Sequence, residues 1–425
     1  MRSNTVELNA ISRVGVGCYR MNHGVEEHHT ALQQALELGC TLVDTACNYG
    51  DGASEELVGK VLKNNSRCNA FVITKAGYIT TSAAIKLQAA GISRGELYPI
   101  SPESMYSISP SVLRIQADES RRRLDRPMLD ALLLHNPELY FNCDGLPSSQ
   151  EGFDEAIRKA FNFLEEYVGE GKLRYYGVSS NTLASTSQQA NRIHLERLLS
   201  LAEEVSVSHH FRFVEFPLNM VETEALLPQP NARSLIDQIR ASGLISIANR
   251  PLNGQRGNQP IRLATYEDEA RELTPDLARA EYERVVDLIA TRLRNADLPH
   301  KVMDFAVMQF LRDNWQGIGH PDTVDQIFAR HFYPFVEQLW EGSLPHDARA
   351  AFRLLHSEAR QFSQQKLTAQ AQQLRKDLIK AGTIRSDDNR RLAVIACDFC
   401  LKSADHVLVG MRSPKYVKDL SELIS

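Results

Sequence analysis

The sequence predicts an α/β fold, a (β/α)8 TIM barrel with a large helical insertion after the seventh strand. Three observations carry this. Short β-branched runs alternate with longer amphipathic stretches through the first 250 residues, the succession expected of parallel β/α units. With one run near each end of the chain the strand-like segments number eight, the count of a closed barrel. Polar residues stand at the C-terminal ends of these runs, which a closed barrel gathers on one rim.

In chain order, the first strand falls at Val14 to Gly17, and a helical stretch follows from His28 to Leu38, with Ala31, Ala35 and Leu38 on one face. Strands at Thr41 to Asp44 and Phe71 to Lys75 flank a helix from Ser54 to Leu62. Helices Ser111 to Leu124 and Phe153 to Glu170 precede strands at Leu129 to Leu134 and Tyr175 to Ser179. Helices Ile193 to Glu204 and Ser234 to Arg240 precede strands at Phe213 to Phe216 and Leu244 to Ile247. Residues 81 to 108 read as a loop longer than usual after Lys75, expected to line the rim. The strand-end polar residues are Asp44, Lys75, His135, Ser179, Glu215 and Asn249. An open doubly wound sheet is the competing architecture, and it usually carries a glycine-rich first turn. Gly15-Val16-Gly17-Cys18-Tyr19-Arg20 has two of the three glycines of GxGxxG and lacks the third, a weak match.

Residues 254 to 390 break the rhythm and read as helix throughout, with Tyr282, Val286, Ile289 and Leu293 at one spacing and Leu367, Ala371, Leu374 and Leu378 at another. Gln316 to Pro321 and Gly342 to Pro345 read as breaks between helices. This segment carries 19 Lys and Arg against 20 Asp and Glu, so it is nearly neutral. The chain thus divides into 1–253 (strands one to seven), a 137-residue helical insertion at 254–390, and 391–425, which completes the barrel. In the last part, helix Leu392 to Leu401, strand Val407 to Val409 and helix Pro414 to Leu420 restore the alternation. The 288 residues outside the insertion are close to the ~250 typical of a single barrel.

Composition narrows the class further. At 43% hydrophobic and 24% charged, the 425 residues are those of a globular protein with a sizeable core. A net charge of −5 argues against a non-specific nucleic-acid binder, which needs a basic face to displace counterions. No apolar run approaches bilayer-spanning length, and the first residues lack a charged head followed by an apolar stretch, so no membrane association and a cytoplasmic location are expected. The seven cysteines, Cys18, Cys40, Cys47, Cys68, Cys143, Cys397 and Cys400, are odd in number and scattered, which suits reduced thiols.

The strongest chemical segment is Asp44-Thr45-Ala46-Cys47-Asn48-Tyr49-Gly50, followed by Ser54-Glu55-Glu56-Leu57-Val58-Gly59-Lys60. A tyrosine titrates near ~10 when unperturbed, so acid and base work near neutrality calls for a neighbouring cation. Lys75 is the candidate, with Asp44 to hold its ammonium. Each residue alone has an ordinary reading, as a helix cap, a packed ring or a solvated charge; their conjunction in one order is what carries the argument.

The residues resemble the aldo-keto reductase family. The match comprises VDTACNYGDGASEELVGKVL, VITKAG, LLLHNPE, GKLRYYGVSSN, VEFPLN, IANRPL and VLVGMRSPKYVKDL, in the family's order and spanning the scaffold outside the insertion. The resemblance implies a (β/α)8 barrel and hydride transfer between a nicotinamide cofactor and a small carbonyl or alcohol substrate. It implies Tyr49 as proton donor, Lys75 and Asp44 lowering its pKa, and His135 orienting the carbonyl, with no metal. It implies that Ser179, with Ser180, holds the nicotinamide carboxamide, and that Pro251, Leu252 and Gly410 also border the cofactor. Two positions depart from the family's pattern. Glu215 stands where a Gln usually grips the amide, and a carboxylate accepts from the amide NH2 but donates nothing to its oxygen unless protonated. Asn249 replaces the aromatic that usually stacks under the ring, and Arg250 beside it adds a charge expected to reach a phosphate or a substrate group. Arg412 and Ser413, ahead of the last helix, suit a 2′-phosphate and place NADP(H) ahead of NAD(H), with both open. Asp419 matches an acidic position near the adenine, whereas Leu420 replaces the usual Asn.

Other motifs are weaker. Cys397-Asp398-Phe399-Cys400 is a lone CxxC in an apolar helix and reads as packing. The pairs His28-His29 and His209-His210 lack the i, i+4 spacing of paired ligands. There is no G-x-x-x-x-G-K-[ST] loop, and none of the 13 tyrosines starts a Tyr-x-x-x-Lys dyad. Two functional classes follow: an NADP(H)-dependent oxidoreductase, or a cofactor-binding regulatory or scaffolding protein on the same barrel with the insertion as its docking surface. Because the chain ends at Ser425, about where the last helix is expected to finish, the insertion is also expected to wall the pocket, against the alternative of an appendage making oligomer contacts. Trp315 and Trp340 both lie in it. Neither a substrate nor an oligomeric state is encoded in a recognisable motif.

Overall fold

The structure is a computed structural model describing residues 6–65, 69–186, 193–229, 233–257, 259–266, 275–314 and 317–424. Cys68, Trp315, Gln316 and Ser425 lie outside the described residues. The strands, in order, are β1 (Val14–Gly17), β2 (Leu42–Asp44), β3 (Phe71–Ala76), β4 (Tyr78–Thr80), β5 (Tyr98–Ser101), β6 (Ser104–Tyr106), β7 (Leu129–His135), β8 (Leu173–Ser179), β9 (Phe211–Pro217), β10 (Ile245–Asn249), β11 (Asn253–Arg256), β12 (Gln259–Arg262) and β13 (His406–Val409). Eight of them close a barrel in the order β1-β13-β10-β9-β8-β7-β3-β2. Gly15 makes the closure, paired with Leu42 on one side and Leu408 on the other in parallel register.

The alternation of each strand sorts its residues between two cores. Phe71 and Ile73 of β3, Ala131 and Leu133 of β7, Phe213 of β9 and Ile247 of β10 fill the barrel interior. Their neighbours Val72, Leu132, Leu134 and Val214 belong to the layer packed under the helices. Interior size is balanced by glycine. A Cβ at Gly15 would lie 2.7 Å from Leu42, and one at Gly177 would overlap the Phe213 carbonyl. The expected helices are present with small shifts: Glu26–Glu37, Ala53–Asn64, Pro110–Leu124, Gln150–Gly169, Leu195–Val205, Leu235–Ala241, Leu392–Leu401 and Pro414–Asp419. Pro110 starts its helix where a missing N–H costs nothing, and Asp125 at φ 54° ends it. No helix among the described residues is long and apolar enough to cross a membrane.

Two expectations are corrected. Residues 81 to 108 are not a loop. With β4, they fold into the antiparallel sheet β4-β6-β5 and the helix Thr81–Ala89, around a small core of Ile79, Ala84, Leu87, Ile92, Leu97 and Val112. The segment from 254 is not helical throughout, because it opens with the hairpin β11-β12 and becomes helical at Pro275.

The chain divides into two compact units: the described residues up to Ile261 with those from Asn389, and Arg262–Asp388. The second has its own core, in which Tyr282, Val285, Ile289 and Leu293 of helix Pro275–Asn295 meet Phe328, Phe332, Trp340 and Phe352. Val285 takes the innermost place expected of Val286, which is only partly buried. The 35-residue helix His346–Lys380 lines this core with Ala348, Ala351, Phe352, Leu355 and Ala359. Glu341 and Gly342, at φ 52° and 78°, break the chain before it.

Gly177→Ala places a methyl group against the backbone of β9, so a loss of about 1–3 kcal/mol in unfolding free energy is expected. A urea midpoint equal to wild type would contradict that close approach.

Candidate active site

Three strand ends meet around one buried ammonium. Lys75, on a β3 whose residues are all buried, has a side chain with 0% exposure. Its Nζ donates to Asp44 at the end of β2 and lies 3.3 Å from Glu215 Oε2 on β9. It also donates to the Thr45 carbonyl at 3.4 Å and to Tyr49 Oη at 3.5 Å. Glu215 Oε1 accepts from Asn249 Nδ2 of β10 at 2.8 Å.

The turn that presents Tyr49 is fixed from several sides. Beyond β2 the chain continues along β3, with Thr45 N–H donating to Ile73 O at 2.9 Å and Cys47 N–H to Lys75 O at 3.1 Å. Gly50, Asp51 and Gly52 then take φ of 56°, 58° and 94° to reverse direction into helix Ala53–Asn64. Buried Glu55 accepts from Thr74 Oγ1 and from Arg123 Nε, each at 2.6 Å, which pins that helix to β3. Asp51 accepts from Thr80 Oγ1 at 2.5 Å and from Ser82, joining the turn to the small sheet's helix.

Burial and charge work against each other here. Burial pushes the Tyr49 phenol above its ordinary value, and Lys75 is the largest influence pulling it down, opposed by Asp44 and Glu215. The net direction is therefore upward, the reverse of the lowered phenol expected from Lys75 and Asp44 alone. Burial also raises the Asp44 carboxyl, to about 8, against the pull of Lys75 and with a further push from Glu215. Burial disfavours the Lys75 charge, but its two carboxylates outweigh that and hold it charged. His135 is driven well below its ordinary value, first by burial of its ring and then by Lys75, so its imidazole is neutral.

His135, at the end of β7, stands edge-on to Tyr49 with ring centroids 5.9 Å apart. Tyr78 lies edge-on to its ring at 4.8 Å, and Tyr19 to Tyr49 at 5.0 Å. Asn136, at φ 52°, donates to Tyr78 Oη at 3.0 Å. Tyr19, Tyr78 and Asn136 were not singled out from sequence. Their only signal was position: Tyr78 is three residues after Lys75, and Asn136 directly follows His135.

The other candidates divide. Register places Ser179 beside His135 on one side and Glu215 on the other. Ser180 turns inward on its own loop, its Oγ accepting from the N–H of Thr182 and Leu183 at 3.2 and 3.1 Å. Pro251 and Leu252 follow Arg250, which adopts φ 55°. The Arg250 guanidinium is paired within the chain, its Nη2 donating to Glu222 Oε1 at 2.9 Å. Gly410 is exposed, and Arg412 and Ser413 are half-buried ahead of helix Pro414–Asp419. That helix is six residues long and starts with Pro, so it offers one N–H fewer than expected. Asp419 is ion-paired with Arg391. Cys397 and Cys400 are both core residues, and Cys400 Sγ donates to Leu218 O at 3.1 Å. His210 Nδ1 lies 2.8 Å from Glu165, a structural pairing.

The donor set fits a carboxamide-bearing ring. His135 Nδ1 and Asn249 Oδ1 are buried without hydrogen-bond partners, and Glu215 Oε2 has only its ion pair with Lys75. Unsatisfied atoms at one rim are suited to a ligand with both donors and acceptors.

A closed parallel barrel whose polar side chains converge at the C-terminal ends of its strands is the layout of a TIM-barrel enzyme. The sequence matches the model of the Aldo/keto reductase family over residues 13–255, and the chain belongs to that family of oxidoreductases. It is 28% identical over 195 residues to an uncharacterized oxidoreductase, YqkF, of Bacillus subtilis, covering 45% of this chain and 53% of that protein. It is 25% identical over 292 residues to a D-threo-aldose 1-dehydrogenase of a Pseudomonas species, covering 67% of this chain and 75% of that protein. The chain spans about half the length of most of the curated relatives it matches. The glycerol dehydrogenase of Gluconobacter oxydans shares the fold, with a TM-score of 0.52 at 18% identity, covering 100% of this chain and 91% of that one.

The neutral imidazole has a consequence for stability. The folded pKa of His135 lies well below the ordinary 6.5 that applies once the chain unfolds. Its contribution is therefore present above that value and is lost as the pH falls. Between pH 7.5 and 5.5, wild type is expected to lose about 1.4 kcal/mol more unfolding free energy than His135→Gln. Parallel pH profiles from urea titrations would show that the ring is not held neutral.

Proposed function

We propose that this protein is an NADP(H)-dependent oxidoreductase that interconverts a carbonyl and an alcohol, with Tyr49 as the general acid and base. One observation carries the reading: the Lys75 ammonium, bonded to buried Asp44, lies 3.5 Å from Tyr49 Oη, beside a neutral His135. The bound cofactor supplies or accepts the hydride. Tyr49 gives its proton to the carbonyl oxygen in reduction and takes it back in oxidation. Burial alone would leave the phenol a poor base, and Lys75 is the group that offsets burial by favouring the phenolate. Asp44 keeps the ammonium in place without reaching the phenol. A neutral imidazole keeps one N–H donor, and His135 directs it at the same oxygen without adding a second mobile charge.

Ser179, Glu215 and Asn249 are the residues of this chain that would orient the nicotinamide carboxamide, with Arg412 and Ser413 at the 2′-phosphate. Tyr49 and Tyr78 stand edge-on to His135, with Tyr19 edge-on to Tyr49, and these phenols suit a small polar substrate, since each ring offers an apolar face and a hydroxyl. An aldose, the substrate class in the name of the Pseudomonas relative, is a reasonable member of that group.

Tyr49→Phe keeps the ring and removes the proton. We expect it to lower kcat at least 1,000-fold, on the order of 4 kcal/mol in barrel-bound transition-state stabilisation, with the NADPH Kd changed less than threefold. Turnover of aldoses and small aldehydes within tenfold of wild type would sink the assignment.

A further inference from the structure

We propose that Glu215 sets the charge preference of the nicotinamide subsite, so that the protein holds the oxidised, cationic ring more tightly than the reduced, neutral one. The inference rests on the oxidoreductase reading above and concerns which form of the cofactor the same site favours.

The argument is a count of charges around Lys75. Asp44 and Glu215 both contact its ammonium, at the ends of β2 and β9, and both are buried. The remaining partners of that ammonium are neutral, the Thr45 carbonyl and the Tyr49 phenol. Asn249, which holds the other oxygen of Glu215, is also neutral, and His135 carries no charge. Two arginines of the neighbouring segments are engaged elsewhere. Arg250 pairs with Glu222, and Arg123 pairs with Glu55. Above the value near 8 to which burial raises Asp44, its carboxylate and Glu215 face the single ammonium, and the cluster has one negative charge in excess, enclosed where solvent screens it poorly. Register sets Glu215 beside Ser179, the residue read as a carboxamide contact, so the excess would lie next to a ring whose carboxamide Ser179 holds. A ring that becomes positive on oxidation is favoured there, and one that is neutral gains nothing from it. A glutamine at this position would leave one carboxylate against one ammonium and no preference.

The consequence for chemistry follows from the same difference. Tighter binding of the oxidised form makes the bound reduced form the readier hydride donor and makes departure of the oxidised form slow.

The test is a pair of dissociation constants, for NADP+ and for NADPH, measured by equilibrium calorimetry without substrate. It is run at pH 9, above the value near 8 to which burial raises Asp44. Glu215→Gln is expected to move the NADPH-to-NADP+ Kd ratio at least fivefold in favour of NADPH. Asp44→Asn, which removes the other carboxylate, is expected to shift it the same way, and it serves if the first variant does not fold. Asn249→Ala keeps the carboxylate and is expected to leave the ratio within fivefold of wild type. A ratio that moves less than fivefold in both carboxylate variants overturns the inference, as does a shift in Asn249→Ala equal to that of Glu215→Gln. Failure of wild type to bind NADP+, NADPH, NAD+ or NADH overturns the oxidoreductase reading itself, and this inference with it.

Discussion

A single ammonium with no solvent contact constrains the rest of the site. Removing a charge from water costs several kcal/mol even after relaxation, and the cost is offset only by opposite charge in good geometry. For Lys75 that charge comes from β2, the strand paired beside β3, and from β9, which is far from it in sequence. Asp44 stands on the paired neighbour of β3, and only closure of the sheet brings Glu215 to the same ammonium, so the barrel is what gives buried Lys75 its second carboxylate. The reverse also holds. An open sheet in which β9 lay away from β3 would leave the ammonium with Asp44 alone and Glu215 without its ion pair.

The same constraint reaches Tyr49. The phenol is not on a strand but on a turn, and a turn places a side chain reliably only when its backbone is over-determined. Here the determinants are the three consecutive positive φ values, the Glu55 bridge between Thr74 and Arg123, and the clasp of Asp51 by Thr80 and Ser82. Two of these three devices reach back to β3 or the segment directly after it. The strand that carries the cation therefore also positions the phenol, which is why their separation is held within a hydrogen bond's reach.

The barrel was legible in the sequence because each of its strands states the same alternation. Phe71 and Ile73 point inward with Val72 outward, and Ala131 and Leu133 inward with Leu132 outward, and the polar residue that ends each run marks the rim. The sheet β4-β6-β5 was not legible, since strands of three or four residues are too short to show a period, and Pro99 argues locally against a strand. The hairpin at 253 to 262 was hidden for a similar reason, its Gly254-Gln255-Arg256-Gly257 reading as a polar connection. At the site, residue types were legible and their partners were not. That Arg250 turns to Glu222 and that Asp419 meets Arg391 depends on a left-handed backbone or a contact made across the fold, and that Ser180 caps its own loop depends on how that loop turns. The sign of the Tyr49 shift belongs to the same class. Sequence supplies the cation, but the depth of burial that outweighs it is a property of the folded rim.

Glu215 and Asn249 are best understood together. A glutamate bearing on a lysine needs its second oxygen satisfied, and an asparagine on the adjacent strand end supplies the donor at 2.8 Å. A phenylalanine at 249 could not. The two departures from the family's pattern thus form one arrangement, in which gaining a carboxylate at β9 and losing a ring at β10 are coupled through a hydrogen bond. The site thereby holds a second carboxylate beside the lysine. On the proposed reading, the charge that Glu215 adds beside Lys75 is what would distinguish one oxidation state of the ring from the other, which dispersion over a stacked face does not.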